Sequence, residues 1–456
     1  MYIERAPTFG ELMAKLGNET VARALQVLRD APPEDRYLHW DKLRRLSPPG
    51  GLSHEEWWLG LKVRRAAEAR LLPLYDTEGS AFRFGLPDLV LRRLHRIDQR
   101  ASGEVAMDEV VTSERQAGQR FLVNSLMEEA IRSSQLEGAT TSRRVAKEML
   151  RTGRKPKDRG ERMIANNYRA LQFVRTEMGD ELDVDSILEL HRIVTEGTLD
   201  DPSAAGRLQR PGDERVAVFD RDEDERPIHI PPPAEELPER MRLLCEFANE
   251  REEGERFIHP VVRAVLVHFW LAYDHPFEDG NGRTARILFS WLMQRRGYWL
   301  IEYLPISPVI REAPAKYARA FVESESDAGD ATYFLIHQLE AIGKALDRHD
   351  EYIQRKIAEV RDVERLLRYA GDLNHRQLAL LTDAVRNPDG VYTFGSHAAS
   401  HRVSHETART DLGGLTERGL LVRRSKGRGY AFEPVSELAA KLGESGRAGP
   451  RTKEDR

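Results

Sequence analysis

Apolar residues recur every three to four positions along most of this chain, a spacing typical of helices that bury one face. One such segment is FLVNSLMEEAIRSSQLEG, where the spacing is carried by Leu122, Leu126, Ala130 and Ile131. Gly138 lies where this helix should end, because glycine readily adopts the left-handed backbone of a helix C-terminus. The pattern predicts a mainly α fold, with one helix at about 121–138.

A second pair of helices surrounds the most informative segment, HFWLAYDHPFEDGNGRTARILFSWLMQ. An apolar helix over about 261–274 precedes His275, and an amphipathic helix begins near Arg283. Its buried side consists of Ile287, Leu288, Trp291 and Leu292. The loop between the two helices is rich in glycine and asparagine, and it carries the candidate chemistry.

The segment RVAVFDRDEDERPIHI, 215–230, departs from the helical pattern. Apolar residues alternate in its two arms, which contain Val216 and Val218 in the first and Ile228 and Ile230 in the second. A very acidic loop joins the arms. Alternation on both sides of a polar loop predicts a small β-hairpin.

The remaining pattern divides the chain into regions. A helical N-terminal region is expected at 1–105, a helical core at 106–345 and a connecting helix at 346–370. In 371–437 a helix, a turn, a helical stretch interrupted at Gly413–Gly414 and a basic strand pair follow one another. This order is typical of a winged helix-turn-helix.

The composition fits a soluble protein. The 456 residues are 40% hydrophobic and 32% charged, with a net charge of -5, so contact with nucleic acid would need a local basic patch. There is no run of about 18 apolar residues to predict a membrane span. The single cysteine, Cys245, cannot form an internal disulfide, and a reducing cytoplasm is expected. The polar segment 438–456 is expected to be disordered.

The loop HPFEDGNGRTAR offers the groups that bind phosphates. Gly280, Asn281 and Gly282 can turn successive N–H groups inward just before a helix N-terminus, where anions bind. Arg283 and Arg286 are three residues apart, so both guanidinium groups lie near the same helix end. These residues favour a phosphate site.

Two further residues of the loop suggest a reaction at that site. Asp279 is a carboxylate among phosphate-binding groups, which is useful if it holds Mg²⁺ together with phosphate oxygens. His275 titrates in a range suited to proton abstraction. The residues therefore favour a Mg²⁺–polyphosphate site with a histidine base. The alternative is a glycine turn that joins two core helices and leaves its arginines in solvent.

The same stretch, 275–286, resembles the signature of the Fic (Fido) family, His-Pro-Phe-x-[Asp/Glu]-Gly-Asn-Gly-Arg-x-x-Arg, at every constrained position. The wider resemblance covers about 180–300. It implies a helical Fic core that transfers AMP from ATP to a Ser, Thr or Tyr hydroxyl of a protein and releases pyrophosphate. The target is unknown and could be the chain itself, and a homo-oligomer is possible.

The resemblance also implies a role for each motif residue. His275 would deprotonate the target hydroxyl, and Asp279 would hold Mg²⁺. The phosphates would be bound by Gly280, Asn281, Gly282, Arg283 and Arg286. The predicted hairpin with Val216, Val218, Ile228 and Ile230 occupies the place of the family's flap, where a target adds as an extended strand. The alternative is a plain surface hairpin.

Members of one class in this family carry an inhibitory helix with the pattern [Ser/Thr]-x-x-x-Glu-[Gly/Asn]. SSQLEG matches it with Ser133, Glu137 and Gly138. The resemblance implies that Glu137 pairs with Arg286 and blocks the γ-phosphate position. The alternative is a solvated glutamate at a helix end.

The predicted winged helix-turn-helix carries a cluster of basic residues that could contact DNA phosphates: Arg409, Arg423, Arg424, Lys426 and Arg428. Winged helices also bind proteins, so the fold alone leaves both partners open. Two other activities also remain open. The first is hydrolysis of AMP from a modified protein, and the second is DNA-binding regulation with the core as a nucleotide sensor.

Overall fold

The computed structural model describes residues 3–30, 36–101, 115–213, 215, 218–220, 223–250, 257–369, 373–386, 390–426, 429–435 and 438. Two units, Met1–His349 and Asp350–Arg456, hold most of their contacts internally. The structure is mainly helical, which confirms the mainly α part of the prediction. No helix of the described residues is long and apolar enough to cross a membrane.

The first unit contains helices α1 (Phe9–Leu16), α2 (Asn18–Asp30), α3 (Trp40–Leu43), α4 (His54–Glu68), α5 (Asp88–Ala101), α6 (Arg115–Leu136), α7 (Arg143–Thr152), α8 (Arg159–Thr176), α9 (Val184–Thr195), α10 (Leu237–Asn249), α11 (Pro260–Asp274), α12 (Asn281–Arg295), α13 (Ser307–Glu312) and α14 (Pro314–Ser326). The boundary between the units falls within α15 (Thr332–Tyr369). Strands β1 (Arg70–Tyr75) and β2 (Ala81–Phe84) pair antiparallel, as do β3 (Val218–Asp220) and β4 (Glu223–His229). The second unit contains α16 (His375–Arg386), α17 (Phe394–His401), α18 (His405–Glu417) and the antiparallel pair β5 (Leu421–Lys426) and β6 (Gly429–Pro434).

The core of the first unit is built on α11 and α12, which flank the HPFEDGNGRTAR loop. Helix α11 is buried on almost every side, and Trp270 and Trp291 are each 1% exposed. Helices apolar all round belong in the middle of a large domain. Both helices begin within two residues of the expected positions. The loop is held between these two buried helices.

The N-terminal region is not purely helical, and that prediction was wrong. Residues 70–84 form the β1–β2 pair, with Leu72, Leu74, Phe82 and Phe84 buried in the main core. This alternation of buried residues is a strand pattern that was missed. Helix α4 in the same region begins at a reciprocal capping box, which Ser53 and Glu56 form.

The segment predicted as a hairpin does contain paired strands. Val218 lies opposite His229, and the register shifts along the pair. Val216 lies outside the described residues, as do the side chains of Val218 and Ile228. Ile230 is 63% exposed just after β4. A role of this hairpin as a docking flap stays a prediction.

The second unit has a small core of its own, which includes Leu381, Leu412, Leu415 and Phe432. Helix α18 is continuous through Gly413–Gly414, so the expected interruption was wrong: the buried face is continuous on either side of the glycines. Helix α17 was not predicted at all. The side chain of Lys426, all of Arg428 and residues 439–456 lie outside the described part of the chain.

Candidate active site

The loop between α11 and α12 has backbone φ angles that few residue types adopt. His275 ends α11 with a φ of 43°, and Gly280 precedes α12 with a φ of 90°. Asn281 fixes the loop from inside, because its side chain accepts from the Phe277 N–H at 2.9 Å and donates to the Phe277 carbonyl at 2.8 Å. The Asn281 amide nitrogen also lies 3.2 Å from Nδ1 of His275. Asn281 therefore orients the histidine.

His275 is held in its neutral form. Burial, together with the positive charges of His229 and Arg215, lowers its pKa to about 3. A neutral imidazole can accept a proton at pH 7. The Asn281 amide donates to Nδ1, so the proton of the neutral ring lies on Nε2, and a pKa of about 3 lies below the range that the sequence analysis expected for the base.

The two motif arginines have different surroundings. Arg283 is fully buried, donates to the Val194 carbonyl at 3.1 Å and contacts Asp279 at 3.2 Å. Its Nε has no hydrogen-bond partner among the described residues. Arg286 is 5% exposed and borders a cavity of about 170 Å³ that also contains His275.

Helix α6 supplies the partners of Arg286. Ser133 accepts from Arg286 Nε through its hydroxyl at 2.9 Å and from Nη2 through its carbonyl at 3.1 Å. Glu137 accepts from Nη2 at 2.7 Å. Gly138 follows with a φ of 96°, as expected for the end of the helix. The structure thus places Ser133 and Glu137, two residues of SSQLEG, against the second motif arginine.

The absence of a side chain at Gly282 leaves room for the Glu137 carboxylate beside Arg286. A Cβ at Gly282 would lie 2.3 Å from Glu137 Oε1 and 3.0 Å from Arg286 Nη1. The missing side chain leaves the N-terminus of α12 open to an anionic group. In this conformation the anionic group is the Glu137 carboxylate.

Asp279 has an environment compatible with a divalent cation bound together with phosphate. Its side chain is 34% exposed and is paired with Arg283 at 3.2 Å and Arg159 at 3.3 Å. The described residues contain no cluster of three His, Cys, Asp or Glu side chains that could hold a metal alone. A single carboxylate still fits Mg²⁺, which takes most of its ligands from phosphate and water.

His191 is a residue that the sequence analysis missed. Its ring stacks on Phe277 at 3.7 Å between centroids, and Nδ1 accepts from the Gly206 N–H at 3.1 Å. Nε2 therefore carries the proton and donates to the Asp279 carbonyl at 2.8 Å. Burial lowers the pKa of His191 to about 4, which keeps this arrangement at neutral pH. A lone histidine in the helix ILELHRIV gave no signal of this role.

The sequence analysis also missed several residues that line the cavity. It is lined by Tyr317 and Phe321 from α14 and by an ion pair in which His229 and Glu325 lie 2.8 Å apart. Burial opposes a charge on His229, but the hydrogen bond and charge of Glu325 outweigh it and raise the His229 pKa. His229 also donates to the Tyr273 carbonyl at 2.6 Å, which ties the end of β4 to α11.

Sequence comparisons find known proteins that are similar to part of this chain. Residues 181–293 match the sequence model of the Fic/DOC family. Protein adenylyltransferase Fic of Nematostella vectensis is 33% identical over 132 residues, which are 28% of this chain and 27% of that protein. Protein adenylyltransferase fic-1 of Caenorhabditis elegans is 35% identical over 133 residues, or 28% and 23%. The matched part spans about a quarter of these relatives.

One solved structure also resembles the chain beyond that segment. A Fic family protein from Desulfovibrio desulfuricans G20 superposes with a TM-score of 0.52 at 18% identity, covering 76% of this chain and 95% of that one. At this identity the likeness shows the fold. Ser133 and Glu137 lie before the residues that match the family model.

Proposed function

We propose, on the premise that residues 181–293 form a domain of the Fic/DOC family, that this chain is a self-inhibited protein adenylyltransferase. It would transfer AMP from ATP to a Ser, Thr or Tyr hydroxyl of a protein. The observation that carries the proposal is the ion pair between Arg286 and Glu137 inside the cavity of His275. That pair joins a carboxylate to the arginine predicted to bind a phosphate.

The reaction uses His275 as the base. Its imidazole takes the proton of the target hydroxyl, and the hydroxyl oxygen forms a bond to the α-phosphorus of ATP. The bond from that phosphorus to the bridging oxygen breaks, and pyrophosphate leaves with the electron pair. Such transfers depend on positioning and charge neutralisation.

The motif supplies the binding groups for the triphosphate. N–H groups at the start of α12 and the side chains of Arg283 and Arg286 would neutralise its oxygens. Asp279 would hold Mg²⁺, which supplies further charge neutralisation when bound. Tyr317 and Phe321, whose rings pack edge to face, give the cavity an aromatic lining that could contact the base of the nucleotide.

Self-inhibition follows from competition for Arg286. While Glu137 accepts from Arg286 Nη2 at 2.7 Å, a terminal phosphate would meet a like charge there. Helix α6 is also anchored at Glu129, which accepts from the Ser307 N–H at 2.9 Å. A bound triphosphate would therefore be displaced from the position that its α-phosphorus needs for attack.

The β3–β4 hairpin would hold the target. His229 fixes the end of β4 beside the cavity, and an extended target segment could pair with the hairpin edge. The hairpin would then bind the main chain of the target rather than particular side chains. A target bound along this hairpin would have its hydroxyl near His275.

Labelling with α-labelled ATP tests the proposal. In the presence of Mg²⁺, Glu137→Gly should raise AMP transfer to a protein, including to the chain itself. A hydrogen bond to a charged partner contributes about 1.5–3 kcal/mol, so the expected gain is roughly ten- to hundredfold. His275→Ala in the Glu137→Gly background should abolish the label, and mass spectrometry should locate the added AMP.

Glu148→Gly is the matched control, because Glu148 is exposed on the neighbouring helix α7. It should leave labelling at the wild-type level. A folded Glu137→Gly protein that labels nothing, neither itself nor proteins of a cell extract, would contradict the proposal.

Hydrolysis of AMP from a modified protein is a second candidate. It is favoured by the Glu137 carboxylate, which borders the same cavity as His275 and could orient a water molecule. Release of AMP from a pre-modified target by the wild type, lost in Glu137→Gly, would support this activity over transfer.

A further inference from the structure

The second unit takes no part in the proposed reaction, yet it is organised around one buried acid. Asp411 on α18 accepts from Arg376 Nε at 2.7 Å, from Asn374 at 2.7 Å and from His397 at 3.1 Å. Arg376, Asn374 and His397 lie on or beside α16 and α17. The acid therefore joins all three helices, and the hydrogen bonds of Arg376 lower its pKa to about 2 against the effect of burial.

This network orients α18 and neutralises the charge of Asp411. Leu412 and Leu415 are buried beside it, so the opposite side of α18 faces outward. The outer side presents Arg409 and Thr410, both exposed. Helix α18 thus has a polar outer face, which carries Arg409 together with the acids Glu406 and Glu417.

Gly413 lies on the outer face of α18. No neighbouring atom requires the absence of a side chain at this position. A Cβ at Gly413 would meet nothing within 4 Å, whereas a Cβ at Gly414 would lie 3.3 Å from Gln377. Glycine lowers helix stability relative to alanine. A bare helix backbone is useful where another molecule approaches closely, as in a DNA groove.

More cations flank the same helix. Arg402, in the turn before α18, is exposed with a φ of 51°. On β5, Arg423 is exposed above the Tyr430 ring, and Arg424 is exposed and paired with Glu433 at 2.7 Å. From 402 to 428 the sequence has seven Lys or Arg and three acids. One of the acids, Asp411, is neutralised, while Glu406 and Glu417 remain exposed on α18.

We propose that residues 373–435 form a winged helix-turn-helix module that binds double-stranded DNA. Helix α18 would enter the major groove with Arg409 and Thr410 towards base edges, and the absent side chain at Gly413 would let the helix come close. The β5–β6 hairpin would follow the adjacent phosphates through Arg423. Charge complementarity with phosphate favours DNA over a protein partner for this face.

Fluorescence anisotropy of the full chain with a labelled random duplex of about 30 base pairs tests the proposal. Affinity should fall roughly tenfold or more between about 50 and 200 mM KCl, because counterions are released on binding. Arg409→Ala with Arg423→Ala should weaken binding by about tenfold or more and reduce the salt dependence. Arg311→Ala, which removes one exposed arginine of the first unit, is the charge-matched control for Arg409→Ala alone and should change little.

Gly413→Gln separates groove binding from general charge attraction. It leaves the net charge unchanged and fills open space, so the unit should fold and yet bind DNA several-fold less tightly. Selection from a random duplex library should enrich a sequence for the wild type and not for Arg409→Ala.

Three results would overturn the proposal. The first is no duplex binding by the wild type at low salt. The second is equal weakening by Arg311→Ala and Arg409→Ala. The third is a concentration-dependent dimer in ultracentrifugation that Gly413→Gln abolishes, without any DNA binding, since the face would then bind a second copy of the chain.

Discussion

At the residue scale, Gly282 is the motif residue beside which the Glu137 carboxylate lies. The Glu137 carboxylate occupies the space that a side chain at 282 would fill. The two residues are therefore coupled: the glycine admits either the carboxylate or, on the proposed function, a phosphate. His275 lies beside them, and burial together with the positive charges of His229 and Arg215 lowers its pKa to about 3.

Gly282→Ala should reveal this coupling in the free energy of unfolding. In the wild type the new methyl group would lie 2.3 Å from Glu137 Oε1, and pushing the carboxylate away should cost about 1–3 kcal/mol. In the Glu137→Gly background the clash with the carboxylate disappears and the 3.0 Å contact with Arg286 Nη1 remains, so the cost should be smaller. Urea unfolding of the four proteins measures the interaction energy.

Gly343→Ala is the control, since a Cβ there meets nothing within 4 Å in α15. It should have the same effect in both backgrounds. If Gly282→Ala lowers the free energy of unfolding equally with and without Glu137, the carboxylate does not occupy this space in solution.

At the element scale, α18 shows why glycine is a weak marker of a helix end. Gly413 and Gly414 lie in the middle of a continuous helix, because Leu412 and Leu415 bury its inner face on both sides of them. Burial of those side chains outweighs the low helix propensity of two glycines, each less favourable than alanine by about 1 kcal/mol.

Gly413→Ala should therefore stabilise the second unit by about 1 kcal/mol, because the added methyl group meets nothing. Gly414→Ala should gain less, since its Cβ would crowd the Gln377 amide that donates to the Asp411 carbonyl at 3.0 Å. Thermal unfolding of the second unit compares the two variants. A larger gain from Gly414→Ala than from Gly413→Ala would contradict the packing described.

At the scale of the whole molecule, the N-terminal region is built into the first unit. Lys62 forms a buried ion pair with Asp327, and Tyr37 donates to Asp330 at 2.6 Å. Asp327 directly follows α14, whose residues Tyr317 and Phe321 line the cavity. The N-terminal region thus supports one wall of the candidate active site.

Lys62→Met should lower the free energy of unfolding by about 3–5 kcal/mol, because it leaves the Asp327 carboxylate buried without a cation. Adding Asp327→Leu should recover part of the loss. Lys344→Met is the control: it breaks an exposed pair with Glu340 and should cost about 1 kcal/mol at most. If the two single variants unfold alike, the N-terminal region is not anchored through this pair.

Local sequence was enough for features that depend on neighbours in the chain. Capping at Ser53, the end of α6 at Gly138 and the helices around the motif follow from short-range hydrogen bonds and a repeating apolar face. The motif itself was also visible, since its glycines, asparagine, arginines, aspartate and histidine lie within twelve residues.

The tertiary structure alone decided which distant groups meet. His191 lies far from Asp279 in the sequence, and the pair of His229 with Glu325 joins a strand to a helix. The β1–β2 pair and α17 were missed because short elements are stabilised by burial against the rest of the chain. The sequence suggested a partner for Glu137, but only the folded chain brings its carboxylate to 2.7 Å from Arg286. The reason is physical: helix and cap propensities act over a few residues, whereas this contact requires α6 and α12 to pack side by side.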